Sequence, residues 1–433
     1  MFNAKYNLLA LLQVGIGLFN FVLFIKIFGV SAVSDAYLLS IAIFTTLQLL
    51  QLLACEQVLY FYNDAKAISV EAGYLFYHSA LFVGLLTGIV SLILCQLFVG
   101  GIIWVFVGDT TQLDFELLES LLLIMSFELF LYPVIYINQK ILNAEMRFSL
   151  PYILNIIPIT LVLFGSIYLT LSDVVNIEIL AYAKLIGAGL ACFLAFIAIM
   201  KCDIPIKLRI QSEYTISFIK NSFSMRFGHN VHNFLFMPIT TNILSTFPQG
   251  SLSYFYYAHR IVLIIVSVAV GPSMTVFQSR MATIWSNNLF EQVRVLISKF
   301  LSIASGLMVV ASVVAYLLLP HFLPLASSDM TLENIIHIQL MFLGLAVWQL
   351  IIIIESGYVT VLVTNKSSLI FLMANGLFSV MYYLLSITLT EPFGMYGIVY
   401  GLLISQIINF IIYAFFAKRV LSKKMTSQKQ YCE

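Results

Sequence analysis

Ionisable residues interrupt the apolar stretches of this sequence, where each charge costs several kcal/mol unless it faces protein or water. Arg260 lies about eight residues into such a stretch, within Tyr256-Tyr-Ala-His-Arg260. Its guanidinium is permanently charged and suits bidentate binding of phosphate oxygens. Two other interpretations stay open, namely an ion pair with Glu355 or Glu128 and snorkelling to the outer interface. The chemistry that Arg260 offers is anion binding.

Three carboxylates lie inside apolar stretches with no cation next to them in the sequence: Glu56, Glu128 and Glu355. Each could be a protonatable residue that couples transport to proton movement. Each could equally make a hydrogen bond between helices. The sequence alone favours neither interpretation.

Polar residues also lie in the first two apolar stretches. Asn20 and Gln48 make both stretches more polar than a lipid-facing helix, which predicts that they face a wet interior. Lys26 and Lys184 are near the predicted outer ends of helices, where snorkelling competes with an interior role.

Asp35 follows a short link and begins the second apolar stretch. Helix capping by Ser34 or Asp35 is a sufficient structural account of these residues. The functional alternative places the Asp35 carboxylate in a substrate path.

Motifs of soluble enzymes are missing from the sequence. No GxSxG, P-loop, HExxH or GxGxxG pattern occurs, so hydrolase, ATPase and dinucleotide chemistry have no support. His229 and His232 have a spacing that permits a shared metal, but no Cys, Asp or Glu follows to complete a site. The sequence therefore predicts neither an enzyme nor a bound cofactor or metal.

The amino-acid composition indicates whether these residues lie in a soluble protein or in a membrane protein. Of 433 residues, 61% are hydrophobic and 9% charged, and the mean hydropathy is +1.01. Soluble domains carry about 45–50% apolar and about 25% charged residues. The composition predicts a membrane protein and excludes a nucleic-acid-binding one.

Apolar runs of about 20 residues predict membrane-spanning helices. Twelve such runs occur, so we expect an all-α polytopic protein with two six-helix lobes around a central cavity. The predicted spans are near 8–28, 36–60, 74–98, 117–138, 150–170, 178–200, 222–246, 252–277, 296–319, 334–358, 368–389 and 394–417.

The distribution of basic residues predicts the orientation. If both termini are cytoplasmic, eighteen of the 21 Lys and Arg residues fall in inner segments and none in an outer loop. This is the asymmetry that the positive-inside rule requires.

The two halves of the chain resemble each other. Ser34-Asp-Ala-Tyr37 parallels Ser253-Tyr-Phe-Tyr256, and Tyr182–Ile186 parallels Tyr400–Ile404 at a nearly equal offset. These matches suggest a duplication. We expect an N-terminal lobe over residues 1–210 and a C-terminal lobe over 211–433, which ends in a short basic cytoplasmic tail.

Two segments resemble a known family. Phe28-Gly-Val-Ser-Ala-Val-Ser-Asp-Ala-Tyr37 resembles the FGxSxxxDAF/Y signature of the MurJ/MviN lipid II flippase family. Gly250-Ser-Leu-Ser-Tyr-Phe-Tyr-Tyr-Ala-His-Arg260 is similar to its GSxSxLYYAxR segment, and Phe393-Gly-Met-Tyr-Gly397 to the start of its last span. The family belongs to the multidrug/oligosaccharidyl-lipid/polysaccharide exporter superfamily.

The resemblance implies a role for particular residues. Asp35 and Arg260 match charged positions that the family uses in its central cavity, which binds the pyrophosphate and sugar of an undecaprenyl-linked oligosaccharide. Asn20 and Gln48 replace arginines of the family, and His259 stands where an acid is usual. The chain also lacks two C-terminal helices that are typical of lipid II flippases. In these respects the sequence is more similar to the Wzx-type repeat-unit flippases of the same superfamily.

We therefore expect a flippase in the bacterial cytoplasmic membrane that moves an undecaprenyl-pyrophosphate-linked oligosaccharide outward by alternating access. The predicted substrate contacts are Arg260, Asp35, Asn20, Gln48 and Lys26, and the predicted coupling residues are Glu56, Glu128 and Glu355. The expected partners are the glycolipid substrate, membrane lipid and glycan-assembly enzymes. We expect the chain to be a monomer. The alternatives are a cation-coupled multidrug exporter of the same superfamily and a membrane-embedded polysaccharide polymerase or glycosyltransferase.

Overall fold

The chain folds as an all-α membrane protein. The computed structural model describes residues 4–55, 58–108, 113–172, 176–207, 232–286, 289–326, 330–365 and 367–432, and all regular secondary structure within these ranges is helical. Nine described stretches are helical, long and apolar enough to cross a membrane, and Leu12–Phe28 is a shorter apolar helix. The last of the nine, Leu369–Thr426, runs through two successive helices.

Seven helices precede the polar sequence segment 201–221 in the middle of the chain. They are α1 (Ala4–Phe28), α2 (Ala32–Cys55), α3 (Val58–Ile68), α4 (Val70–Val107), α5 (Phe115–Ala144), α6 (Ser149–Ser172) and α7 (Glu178–Met200).

Seven more helices follow that segment. Helix α8 is described over 232–244. The others are α9 (Ser251–Ile265), α10 (Gly271–Ser286), α11 (Phe290–Ala326), α12 (Leu332–Thr364), α13 (Ser368–Phe393) and α14 (Gly397–Cys432). A π-helical turn, Val266–Val270, joins α9 to α10, and a 3-10 turn, Gly394–Tyr396, joins α13 to α14.

Each predicted span contains a helix over its described part, but several helix ends differ from the prediction. The second predicted span, 36–60, includes two residues outside the described ranges, and its described parts belong to α2 and α3. Helix α4 runs to Val107, nine residues beyond the predicted end. The basic segment after residue 417 continues α14 to Cys432, because no proline or glycine follows to end the helix.

The chain divides into two compact units. Unit 1 contains Met1–Phe227 and Pro248–Gly250, and unit 2 contains Gly228–Phe247 and Ser251–Glu433. The lobe boundary predicted between residues 210 and 211 lies outside the described residues.

Packing inside each unit depends on close approaches between helices. In unit 1, α5 packs against α2, α4 and α7, and α6 packs against α1 and α7. In unit 2, α14 packs against α12 and α13, and α12 packs against α9 and α11. A Cβ on Gly187 of α7 would lie 2.5 Å from the Cα of Pro158 on α6. Small residues permit such contacts, and packing of this kind holds membrane helices together.

Candidate functional site

Helix α2 begins with a cap that leaves the Asp35 side chain available for another partner. The Ser31 hydroxyl accepts a hydrogen bond from the Ser34 backbone N–H at 3.2 Å, and the Ser34 hydroxyl accepts one from the Ser31 N–H at 2.9 Å. This reciprocal pair is a capping arrangement. The capping account therefore applies to Ser31 together with Ser34, and Asp35 is not the cap.

The Asp35 carboxylate is buried in unit 1 and bonds to the backbone. Its Oδ2 atom accepts a hydrogen bond from the Gly250 N–H at 2.6 Å, and the residue is 2% exposed. Gly250 has a φ of +94°, a conformation that glycine adopts readily and other residues rarely do. Asp35 thus holds the residue that immediately precedes α9.

Arg260 projects from the exposed side of α9. Phe255, Ala258 and Val262 are fully buried and form the packed face of this helix. Arg260 follows Ala258 by two residues, about 200° around the helix, and is exposed. The guanidinium makes no ion pair or hydrogen bond with any residue that the structure describes.

The carboxylates predicted as alternative partners of Arg260 are paired elsewhere. Glu355 lies 2.6 Å from Gln406 Nε2, and Glu128 lies 3.2 Å from the Lys184 ammonium. The ion-pair interpretation of Arg260 is therefore wrong within the described chain. Within the described residues, therefore, no carboxylate neutralises the Arg260 guanidinium.

The other predicted substrate contacts differ in whether their side chains already bond to other residues of the protein. Asn20 Nδ2 donates to the Ile159 carbonyl on α6 at 2.8 Å, while its Oδ1 is buried without a hydrogen-bond partner in the described chain. Gln48 is half-buried, and Lys26 is exposed near the end of α1. Neither of these two side chains makes a hydrogen bond or ion pair with a described residue.

Glu128 has a cation beside it in space, although no cation is next to it in the sequence. Lys184 on α7 reaches this carboxylate on α5, and its ammonium also lies 3.9 Å from the centroid of the Phe44 ring on α2. Snorkelling of Lys184 is therefore wrong as well. Sequence reasoning missed this pair because it joins two different helices.

Glu355 lies in a polar network inside unit 2. Trp348 Nε1 donates to Gln406 Oε1 at 3.1 Å, and Gln406 Nε2 donates to Glu355. Tyr413 donates to Asn375 Oδ1 at 2.8 Å on the neighbouring helices. The prediction omitted Gln406, Asn375 and Tyr413, although amides within apolar runs could have signalled them.

Two predicted features lie outside the described residues, namely Glu56 and His229. Within the described chain, no group of three or more His, Cys, Asp or Glu residues could hold a metal ion.

The chain matches one family model and several solved structures. The family described as "Lipid II flippase MurJ" matches residues 24–431. A structure of the lipid II flippase MurJ in an inward closed conformation is 19% identical, covers 98% of this chain and 90% of its own, and gives a TM-score of 0.80. No curated protein matches by pairwise sequence comparison.

Transporters of the MOP superfamily have a similar fold. An inward-facing multidrug resistance MATE family transporter of the MOP superfamily is 13% identical over 96% of both chains, with a TM-score of 0.79. A MOP superfamily transporter from Pyrococcus furiosus is 11% identical, covers 98% of this chain and 96% of its own, and gives a TM-score of 0.66. At these identities the likeness concerns the fold alone.

Proposed function

The chain belongs to the MurJ lipid II flippase family, and from that premise we propose that it moves an undecaprenyl-pyrophosphate-linked oligosaccharide from the inner to the outer leaflet of the bacterial cytoplasmic membrane. The members of this family transport a lipid and catalyse no chemical reaction, and this chain is a multi-pass membrane protein. The cargo would be lipid II or a polysaccharide repeat unit. Both carry the same pyrophosphate.

The physical obstacle is the polar head group. Moving charged phosphates into hydrocarbon costs tens of kcal/mol by Born reasoning. A protein that offers the head group a cation and polar side chains removes most of this barrier, while the lipid tail stays in the bilayer. Alternating access then exposes the head group first to one side of the membrane and then to the other.

Arg260 carries the proposal because its guanidinium has no counter-ion in the described chain. A lone guanidinium in an apolar protein is costly unless it binds an anion during function. A planar fork of N–H donors matches two phosphate oxygens. In our proposal Arg260 is the main pyrophosphate contact, and Lys26 adds positive charge near the end of α1.

The neutral and acidic residues receive complementary roles. Asn20 and Gln48 would contact the head group through amide groups. Asp35 would act as a gating residue, because its carboxylate holds the residue from which the chain enters α9. Opening of this contact would release that segment.

The driving force need not involve a dedicated ion site. Outward movement of an anion from a negative-inside cell is favoured by about 2.3 kcal/mol per charge per 100 mV. Glu355 and Glu128 remain the described candidates for proton coupling, and Glu56 was predicted for the same role. A cation-coupled drug exporter is the less favoured function, because Arg260 would repel a cationic drug.

Complementation tests the proposed function. Wild-type protein is expected to rescue a bacterium depleted of its lipid II flippase or one that lacks its repeat-unit flippase, and which strain is rescued identifies the glycan. Arg260→Ala should abolish rescue. Arg294→Ala, at an exposed position of α11, is the matched control and should rescue fully.

Two results would overturn the proposal. Failure of the expressed wild-type protein to rescue either strain removes the flippase function. Full rescue by Arg260→Ala removes Arg260 from the mechanism.

A further inference from the structure

Lys184 and Glu128 form an ion pair inside unit 1, among apolar helices. Glu128 Oε2 lies 3.2 Å from Lys184 Nζ. A buried ion pair is weak evidence for stability, because desolvation of both charges offsets their attraction. Within the described residues, helices such as α6 and α7 pack without an ion pair, so this pair needs a reason.

The two partners differ in their freedom to move. The Lys184 side chain is 24% exposed, whereas that of Glu128 is 9% exposed. Lysine is a point charge on a flexible four-carbon stem. The lysine side chain therefore has more conformational freedom than the more buried carboxylate.

The Glu128 carboxylate has little else to hold it as an anion. No hydroxyl or amide donates to it within the described chain. Glu145 at the end of α5 differs, because Tyr62 and Lys66 both donate to its Oε1. Glu128 thus depends on Lys184 for its charge, while Glu145 has two partners.

Among the residues that the structure describes, Glu128 has no second cation as a neighbour. Among titratable groups on the helices packed against α5, Lys184 on α7 and Tyr37 on α2 interact electrostatically with Glu128. Groups on α3, α4 and α6 make no described interaction with it. The ammonium has one further stabilising neighbour, the Phe44 ring at 3.9 Å, a cation–π contact.

We propose that Lys184 is a second phosphate-binding residue, and that Glu128 is its resident counter-ion, which takes up a proton when the phosphate replaces it. This inference rests on the proposed function, which supplies the anionic head group. The Lys184 ammonium moves from a Glu128 oxygen to a phosphate oxygen. The abandoned carboxylate then binds one proton from water, because an unpaired carboxylate in apolar protein is stable only as the neutral acid.

Binding and proton uptake can be measured together on the full-length protein in detergent. The probes are undecaprenyl pyrophosphate and undecaprenol, and a pH indicator in weak buffer reports proton uptake. Wild-type protein should retain the pyrophosphate lipid at least tenfold better than undecaprenol and take up about one proton per lipid bound. Glu128→Gln should bind the lipid without taking up a proton.

Removal of both charges separates this role from a purely structural one. Glu128→Gln/Lys184→Met has no ion pair and no buried lone charge, so we expect it to fold. It should bind the pyrophosphate lipid about tenfold more weakly than Glu128→Gln. The matched control is Glu145→Gln/Lys66→Met, which removes a second ion pair that the structure describes in unit 1 and should change neither readout.

The outcomes distinguish the two proposals. Binding by wild-type protein without proton uptake, or wild-type affinity in the folded double variant, overturns the exchange between Lys184 and the phosphate. Equal retention of both lipids by wild-type protein overturns the proposed function itself, and with it this inference. If Arg260→Gln weakens binding and the Lys184 variant does not, only the inference fails.

Discussion

Asp35 and Gly250 are 215 positions apart in the chain, yet the Asp35 carboxylate accepts a hydrogen bond from the Gly250 N–H at 2.6 Å. The donor is a backbone group, so the contact depends on the conformation of the segment before α9 and not on a side chain there. A charge-assisted bond of this kind is about twice as strong as one between neutral groups. The proposed gating role requires this bond to break during the transport cycle.

Asp35→Ala and Asp35→Asn test the role of this bond. The alanine variant has no acceptor, and we expect it to lose at least tenfold in transport. The asparagine variant keeps an oxygen acceptor and should retain more activity. Rates of lipid-linked oligosaccharide flipping in proteoliposomes measure both, and wild-type transport by Asp35→Ala would contradict the gating role.

Gly187 and Gly189 of α7 provide a matched test of helix packing. A Cβ at Gly187 would lie 2.5 Å from the Pro158 backbone, whereas a Cβ at Gly189 meets nothing within 4 Å. Gly187→Ala should destabilise the protein by about 1–3 kcal/mol through overpacking. Gly189→Ala should be neutral or slightly stabilising, because alanine favours the helix.

Thermal unfolding of both glycine variants in detergent checks this prediction. Equal unfolding temperatures for the two variants would show that α6 and α7 do not pack as described.

Gln406→Leu should expose the dependence of Glu355 on its amide partner. The substitution removes the N–H that lies 2.6 Å from the carboxylate, and it also removes the acceptor of Trp348. Leaving a buried polar group unpaired costs about 1–3 kcal/mol. The unfolding temperature should therefore fall, and Glu355→Leu with Gln406→Leu should recover much of the loss. An unchanged unfolding temperature in the single variant would contradict this network.

The hydrogen bonds to the Glu145 carboxylate predict a pH-dependent contribution of this residue to the stability of the folded protein. Burial alone would raise the pKa of this carboxyl, but hydrogen bonds from Lys66 and Tyr62 outweigh burial and lower it. A lowered pKa stabilises the folded protein above the ordinary carboxyl value of about 4.3. That stabilisation is lost as the pH falls through the lower folded-state value.

Wild-type protein should therefore unfold at a higher temperature than Glu145→Gln at pH 7, and the difference should shrink toward pH 3. A difference that is the same at both pH values would show that the Glu145 carboxylate is not stabilised by its partners.

The membrane class and the helices could be predicted because apolar runs are local signals. Arg260 and Asp35 could be selected as candidates because charges are rare within such runs, and their role in substrate transport stays a prediction. The Lys184–Glu128 pair could not be predicted, because it depends on which helices pack together. The same limit applies to the Gly250 contact of Asp35, which depends on a backbone conformation and not on residue type.

Helix ends were harder to predict than helix positions. Helix α4 continues to Val107, nine residues past its predicted end at residue 98. The basic end of α14 has low hydropathy but favours helix, which explains why a predicted tail is helical.

The role of Arg260 is tested most directly by flipping of a fluorescent undecaprenyl-pyrophosphate-linked sugar in proteoliposomes with an imposed membrane potential. We expect wild-type protein to flip this lipid, Arg260→Lys to flip it more slowly because the forked donor is lost, and Arg260→Gln to be at least tenfold slower than wild type. A flipping rate for Arg260→Gln equal to that of wild type would contradict the claim that this guanidinium binds the pyrophosphate.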